Sequence, residues 1–392
     1  DLHMRTARTL ALALSLVLAP LAAHAQLMII GIDDKVAFDK GKVIRRPPGK
    51  DSVAIVDISN PEAPKIVANL PLMNSVFGPP TNLAITPDQK LAIVANSVDW
   101  QKDGENWKDV PDNKLFVIDL TANPPAQIAT VEVGKQPSGL SINKAGNLAL
   151  IANRADNSIS VLSIQGKEVK LIDTVPMGEQ VAHVVFTPDG KRALVAKFPG
   201  HKIAVLDIDG QKVTYNKYDM AVGLWPYNVD VTPDGAVALT ADNGFAGGSD
   251  GNVDTVSVID LEATPPRVID RVVVGDAPEG LAISPKGNLA AAILLRGSNQ
   301  AWNSWFYNRN GSVVILKIDG KKVTRLDEIE VRGLPEGAVW SADGKYLFVG
   351  NYMDSDVSIL KVDETPKGIR VINTGKTLKL PGQPASMRGR NQ

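Results

Sequence analysis

The chain has 392 residues and not one cysteine. That absence excludes disulfides, c-type haem attachment, thiolate zinc sites, Fe–S clusters and cysteine nucleophiles. Net charge is also scarce. Lys and Arg number 42 against 43 Asp and Glu, a formal balance of -1, which gives no general pull toward nucleic acid or an anionic membrane. Of four histidines, only His183 and His201 lie beyond the N-terminal segment described next, so a three-histidine metal centre is excluded. No Gly-x-Ser-x-Gly elbow occurs, and no phosphate-binding glycine loop of the usual form. No basic run interleaved with aromatics marks nucleic acid as the main partner. No apolar run approaches the roughly 20 residues a membrane helix needs.

The N-terminus carries a shorter apolar run with a meaning of its own. Met4 is followed by Arg5 and Arg8, then by the apolar stretch Leu10 to Leu18, then by Ala23-His24-Ala25. A basic region, an apolar region and a small-x-small site make a cleaved secretory signal. No Arg-Arg pair precedes the apolar stretch, and no cysteine follows it, so Sec-type export is expected without twin-arginine transport or lipidation. Asp1-Leu2-His3 read as a remnant ahead of the initiator. The expected organisation is residues 1–25 as remnant and signal peptide and 26–392 as a single domain in the periplasm. Without disulfides, that domain must be held by its core alone, and 44% hydrophobic residues suit a folded chain.

What the chain has in abundance is a repeat. Each copy opens with Pro-x-Gly or a variant, continues as an apolar strand, turns at Pro-Asp-Gly, and continues as a second apolar strand ending in Ala-Asn. A third strand of the type Ser-Val-x-Val-Ile-Asp follows. Copies begin at Pro80, Pro137, Ala182, Pro226, Pro278 and Pro335. The runs are short and β-branched, as in Val256-Ser257-Val258-Ile259, and Pro-Asp-Gly between them is a tight turn. Segments such as Ala129–Val133 supply a fourth strand. Four strands at a period of about 40 to 50 residues make a propeller blade, which buries its faces only against neighbours. Gln383–Arg388 starts a further copy and stops, while Ser52–Ile58 and Lys65–Ala68 supply a third and fourth strand near the N-terminus. The two ends are expected to combine into a seventh blade. Six blades with an irregular tail is the alternative.

Leu148-Ala149-Leu150-Ile151-Ala152-Asn153 and Ala95-Asn96 occupy the signature strand of the YVTN β-propellers, and the copies resemble that family over nearly the whole mature chain. The resemblance implies a seven-bladed, all-β propeller. It leaves function open, because related propellers serve as lactonases, haem-binding domains, quinoprotein subunits and proteins without known activity.

In a propeller, the entry to the inner strand and the connection between second and third strands lie on one face, around the central channel. The ends of the second strands carry Asn96, Asn153, Lys197, Asp242, Leu294 and Asn351. The asparagines suit either ligand contacts or turn ties through their amides. Residues that depart from the repeat carry more information, because the fold does not require them. Arg154, Lys197, His183, Asn228, Asp242, Glu279, Glu336 and Arg296 are candidates for a polar pocket of both charge signs. Insertions between second and third strands hold Trp100, Trp107, Trp302 and Trp305. These either cover a pocket or form local mini-cores on the rim.

Two functions fit. The first is a binding or scaffold protein for a small molecule or an envelope protein. It would use a polar pocket at the channel mouth under an aromatic lid, with Trp302 and Trp305 in the lid. The second is hydrolysis of a lactone, implied by the propeller lactonases. In that reading Glu279, Glu336 or His183 serves as base, and Lys197 or Arg154 stabilises negative charge. The histidine-rich pattern of the cytosolic phosphogluconolactonases is missing. A calcium-type ion on Asp242, Glu279, Glu336 and asparagine side chains is chemically reasonable. The segment Asp250–Asp254 has part of a calcium loop without its twelve-residue pattern. Haem ligation by His183 is a further alternative, weighed against a satisfied buried histidine.

Overall fold

The computed structural model describes residues 25–390, and the expected signal peptide lies outside them. Seven four-stranded antiparallel sheets account for nearly all of the strands. Their inner strands are Leu83–Ile85, Pro137–Ile142, Val184–Phe186, Pro226–Val231, Pro278–Ile283, Pro335–Trp340 and Pro384–Gly389. Each inner strand touches the inner strand on either side, and the seventh touches the first, so the ring is closed. The fold is a seven-bladed β-propeller. No helix among the described residues is long and apolar enough to cross a membrane.

Burial follows from position in the blade. Inner and second strands are covered on both faces, so Leu148–Asn153 is buried at every residue. The outermost strand has one neighbour, and Glu168–Pro176 is mostly exposed. The core lies between blades. Leu150, Ile159 and Val161 of the second blade pack on Val184, Phe186 and Val195 of the third, and this pattern repeats around the ring. The Thr-Pro-Asp-Gly turn has a local cause. Thr187 donates its hydroxyl to Asp189 at 2.7 Å, Lys191 N–H donates to the same carboxylate at 3.0 Å, and Gly190 takes φ +70°. Thr232 with Asp234 and Ser341 with Asp343 repeat the arrangement.

The seventh blade is built from both chain ends, as its sequence fragments implied. Pro384–Gly389 pairs with Leu27–Ile32, Met28 opposite Gly389 and Ile30 opposite Met387. Leu27–Ile32 pairs in turn with Ser52–Asp57, and that strand with Lys65–Leu70. Leu27–Ile32 was not separable in the sequence, because its apolar run follows directly on the expected leader.

Two insertions differ from the expected loops. The first-blade insertion is not irregular: it prolongs the second and third strands into a ribbon, Leu91–Asp103 against Asn106–Asp119. The seventh blade carries a hairpin, Val36–Asp39 against Lys42–Arg45, that sequence reasoning missed. Ribbon and hairpin meet. Arg45 pairs with Asp109 at 2.8 Å, and Trp100 Nε1–H donates to the Arg46 carbonyl at 2.8 Å. Beneath them, Val36, Val76, Val98, Trp100, Leu295, Leu334, Tyr352 and Ala385 form one apolar cluster drawn from four blades and the hairpin.

Candidate functional site

Glu279 and Glu336 open the inner strands of the fifth and sixth blades at equivalent repeat positions. Adjacent blades therefore bring the two carboxyls together, and they hydrogen-bond to each other. Both residues are buried, 7% and 4% exposed. Burial pushes the Glu279 carboxyl up to about 7, against which the Glu336 hydrogen bond and the Arg154 charge act. Burial and the neighbouring Glu279 charge hold Glu336 well above the usual range. One shared proton near neutral pH follows from two carboxyls that cannot both ionise in so dry a place.

Arg154 supplies the positive side. It leaves the second strand of its blade, stacks over the Phe198 ring at 4.5 Å, and donates to the Tyr227 hydroxyl at 2.5 Å. Tyr227 opens the inner strand of the fourth blade, and its acidity is lowered chiefly by burial. Both glutamates act electrostatically on this tyrosine. Glu279, Glu336, Arg154 and Tyr227 thus form one mouth-side group. Tyr352 ties it to the lid: its hydroxyl donates to the Val36 carbonyl at 2.6 Å and lies 3.0 Å from the Asp33 carbonyl, at the root of the hairpin. Lys35, 1% exposed, lies between Asp33 and Asp51 and anchors the same root. Burial raises Asp51 to about 6, with the Asp33 charge adding to the effect and Lys35 opposing it.

The other candidates divide. Asn153 donates to Ser158 and Ser160, Asn351 to Asp356 and Ser358, and Asn96 to Asp112, each tying the end of the second strand to the third. Asp242 holds the same slot and accepts from Thr240, Thr255 and Ser257 at 2.7 to 2.8 Å. This slot is a turn tie, and Asp242 is not brought to the glutamates as a calcium set would require. Lys197 turns outward to Tyr215 and Asp219 on the outermost strand of its own blade. Arg296 and Asn308 brace the fifth insertion from within. Trp302 and Trp305 are 66% and 79% exposed, whereas Trp100 is the aromatic packed in the lid.

His183 and Asn228 line the channel axis instead. The His183 Nδ1 lies 3.0 Å from the Thr81 hydroxyl, and burial followed by the Arg388 charge holds the imidazole well below its usual range. The cavity they line is about 20 Å³, space for about one water and none for a haem. Arg388, buried, and Asp230, half-buried, were missed as site residues although a signal existed. They occupy the fifth position counted from Pro226 and Pro384, where other copies carry Ala84, Ser141, Val185, Ala282 and Val339. Asp230 accepts from Ile283 N–H and Val231 N–H at 2.9 Å, and burial lifts it to about 6. The described residues also hold one carboxylate cluster whose ligand atoms lie within 4.8 Å, Asp250, Asp254 and Asp276. It sits in the fourth-blade insertion and beside it, with Asp276 three residues before Glu279.

These buried acids set a pH dependence of stability. Asp51, Asp230, Asp242 and Glu279 have folded pKa values of about 6, 6, 6 and 7, above their unfolded values. The folded chain therefore binds more protons between about pH 4 and 7, and stability falls as pH rises through that window. Turn carboxylates such as Asp189 and Asp234 are lowered and withdraw stability only below about pH 4. A thermal melt at pH 5 is expected several degrees above one at pH 8. Equal or lower Tm at pH 5 would remove the dry-carboxyl picture of the mouth.

Comparison with known proteins places this geometry. The family model described as "Lactonase, 7-bladed beta-propeller" matches residues 117–222. The periplasmic gluconolactonase of Pseudomonas aeruginosa superposes with TM-score 0.67 at 16% identity, over 93% of this chain and 98% of that one. A Bacteroides fragilis protein described as a candidate 6-phosphogluconolactonase gives 0.69 at 17%, over 93% and 98%. Hydrazine synthase of Kuenenia stuttgartiensis gives 0.57 at 22%, over 75% and 79%. At these identities the likeness is one of fold. No curated protein sequence matches the chain.

Proposed function

We propose that this exported propeller binds a small lactone under the lid of its channel mouth and hydrolyses it by general acid–base catalysis. The observation that carries the reading is the hydrogen-bonded, buried pair Glu279–Glu336. In the singly protonated pair, Glu279 as carboxylate takes a proton from water, which attacks the lactone carbonyl. Glu336 as acid returns a proton to the ring oxygen as the C–O bond breaks. Arg154 with the Tyr227 hydroxyl stands where charge on the carbonyl oxygen would be stabilised. The partial match to a lactonase model and the lactonase-named structures support the substrate class. The expected Sec-type signal supports a periplasmic setting.

Binding without turnover is the second reading. It is favoured by the closed packing of Trp100, Tyr352 and Val36 above the pair. The test is a pH–rate profile on γ- and δ-lactones of sugar acids, read against the spontaneous rate. Hydrolysis should give a bell. Its acid limb lies near pH 7, where the pair takes up its second proton, and its alkaline limb marks loss of the shared one. Saturable lactone binding with no rate above background at any pH would leave the binding protein and end the hydrolase.

A further inference from the structure

The propeller has a second concavity on the face away from the lid. Five inner strands end on Ile85, Ile142, Phe186, Val231 and Ile283, and these five side chains ring a cavity of about 440 Å³. That volume lies within the range of small-molecule sites. The rim is made by the residues two places further on. Pro87, Pro188, Pro233 and Pro285 line it at the Thr/Ser-Pro turns.

The repeat logic that located the mouth applies here too. Four copies carry the rim proline; in its place the second blade has Lys144 and the sixth Ala342, and the closing strand is followed at once by Arg390. Both line the cavity. Both are exposed, and neither has a carboxylate partner among the described residues, whereas the buried Lys35 and Lys197 do. Two unpaired cations at the edge of an apolar bowl are not needed to build a turn. At the inner end stands the Asp230 carboxyl, whose two oxygens are engaged by backbone N–H groups. The polarity is therefore directional: cationic at the opening, apolar along the wall, and at the floor the Asp230 carboxylate with the Arg388 charge acting on it.

We infer that this bowl is a binding site for a small amphiphilic anion, an aryl or short alkyl chain bearing one carboxylate. The apolar body lies against Ile142, Phe186 and Ile283, and the carboxylate rests between Lys144 and Arg390. The reverse orientation would set two carboxylates together at Asp230 and leave both cations unused. The inference stands independently of the hydrolysis proposed for the opposite face.

The probe is 4-phenylbutyrate, followed by calorimetric titration of the whole protein, with the uncharged 4-phenylbutyramide as control. One site per chain is expected. The amide should bind about ten- to a hundredfold more weakly, the range of a charge-assisted contact. The Lys144→Ala/Arg390→Ala protein should lose that preference while keeping its melting curve. Ile142→Trp should abolish binding by filling the bowl, and Glu279→Gln should leave it unchanged. Absence of saturable binding, equal affinity for acid and amide, or an unaltered preference in the double variant would each overturn the site. Loss of binding in Glu279→Gln would move the probe to the mouth and overturn it as well.

Discussion

Glu279→Gln protein, folded and melting cooperatively, is expected to hydrolyse a lactone roughly 10³-fold more slowly than its parent, within the 10²–10⁴ range of a positioned base. The side chain keeps its size and can still hydrogen-bond to Glu336, so the lid cluster above it should persist. What disappears is the carboxylate that accepts the proton. Glu336→Gln should cost a comparable factor by removing the acid, while Glu279 stays raised, because burial holds it up and the Glu336 hydrogen bond only opposes that. The two losses should not multiply, since the pair acts as one unit. Kinetics of both single variants and the double variant check this directly. A Glu279→Gln protein with full kcat would place the chemistry elsewhere. Stability offers a second sign: replacing an acid whose burial is costly should leave Tm at pH 8 unchanged or raised.

The second large effect is on folding. A chain ending at Gly382 lacks the inner strand of the seventh blade. It loses the ladder from Pro384 to Gly389 against Leu27–Ile32. It also loses the burial of Met387, 1% exposed, which stabilises by about 1.5–3 kcal/mol. Five or six net hydrogen bonds at about 1 kcal/mol each go with it. The sum is comparable to the whole stability of an ordinary domain, about 5–15 kcal/mol. The gap also exposes the edge of Leu27–Ile32 and one wall of the neighbouring inner strands. Size-exclusion chromatography and a thermal melt of the truncated chain should show association and no cooperative transition. A synthetic peptide of residues 383–392, added during refolding, should restore the monomer. A truncated chain that melts like the parent would show that six blades suffice.

The architecture was legible in the sequence because a propeller repeats its physics. A Pro-Asp-Gly turn between β-branched runs means the same thing at residue 188 as at residue 233, and the partial copies at the two ends hold complementary strands of one blade. The glutamate pair was legible for the same reason, since Glu279 and Glu336 fill one slot in adjacent copies. The asparagine slot misled. Asn153 and Asn351 recur because the third strand needs a tie, and recurrence alone does not distinguish a scaffold contact from a ligand contact. Lys197 departed from the pattern but spends its charge on Asp219 and Tyr215, a pairing set by an outer strand far along the chain. A lid was expected, but with Trp302 and Trp305 in it; its actual members stayed hidden because it is assembled from hairpin, ribbon and ring together. Trp100 and Trp305 look alike in sequence, and only the hairpin covering one of them makes the difference. Arg388 and Asp230 sat in slots that the mouth-centred alignment did not compare.

The pairing of Met28 with Gly389 also sets a timetable. Three strands of the seventh blade are made among the first 70 residues of this sequence, and their partner is made after the other six blades. Until Pro384–Gly389 leaves the ribosome, Leu27–Ile32 has no native neighbour on one side. Ring completion is thus the most non-local step in the molecule, the kind that slows folding. It also acts as a length check. A prematurely terminated chain, however well its middle blades form, cannot reach the closed state and remains open to proteases. The same junction is where an affinity tag would do most harm, and where its removal should be verified before any activity is judged absent.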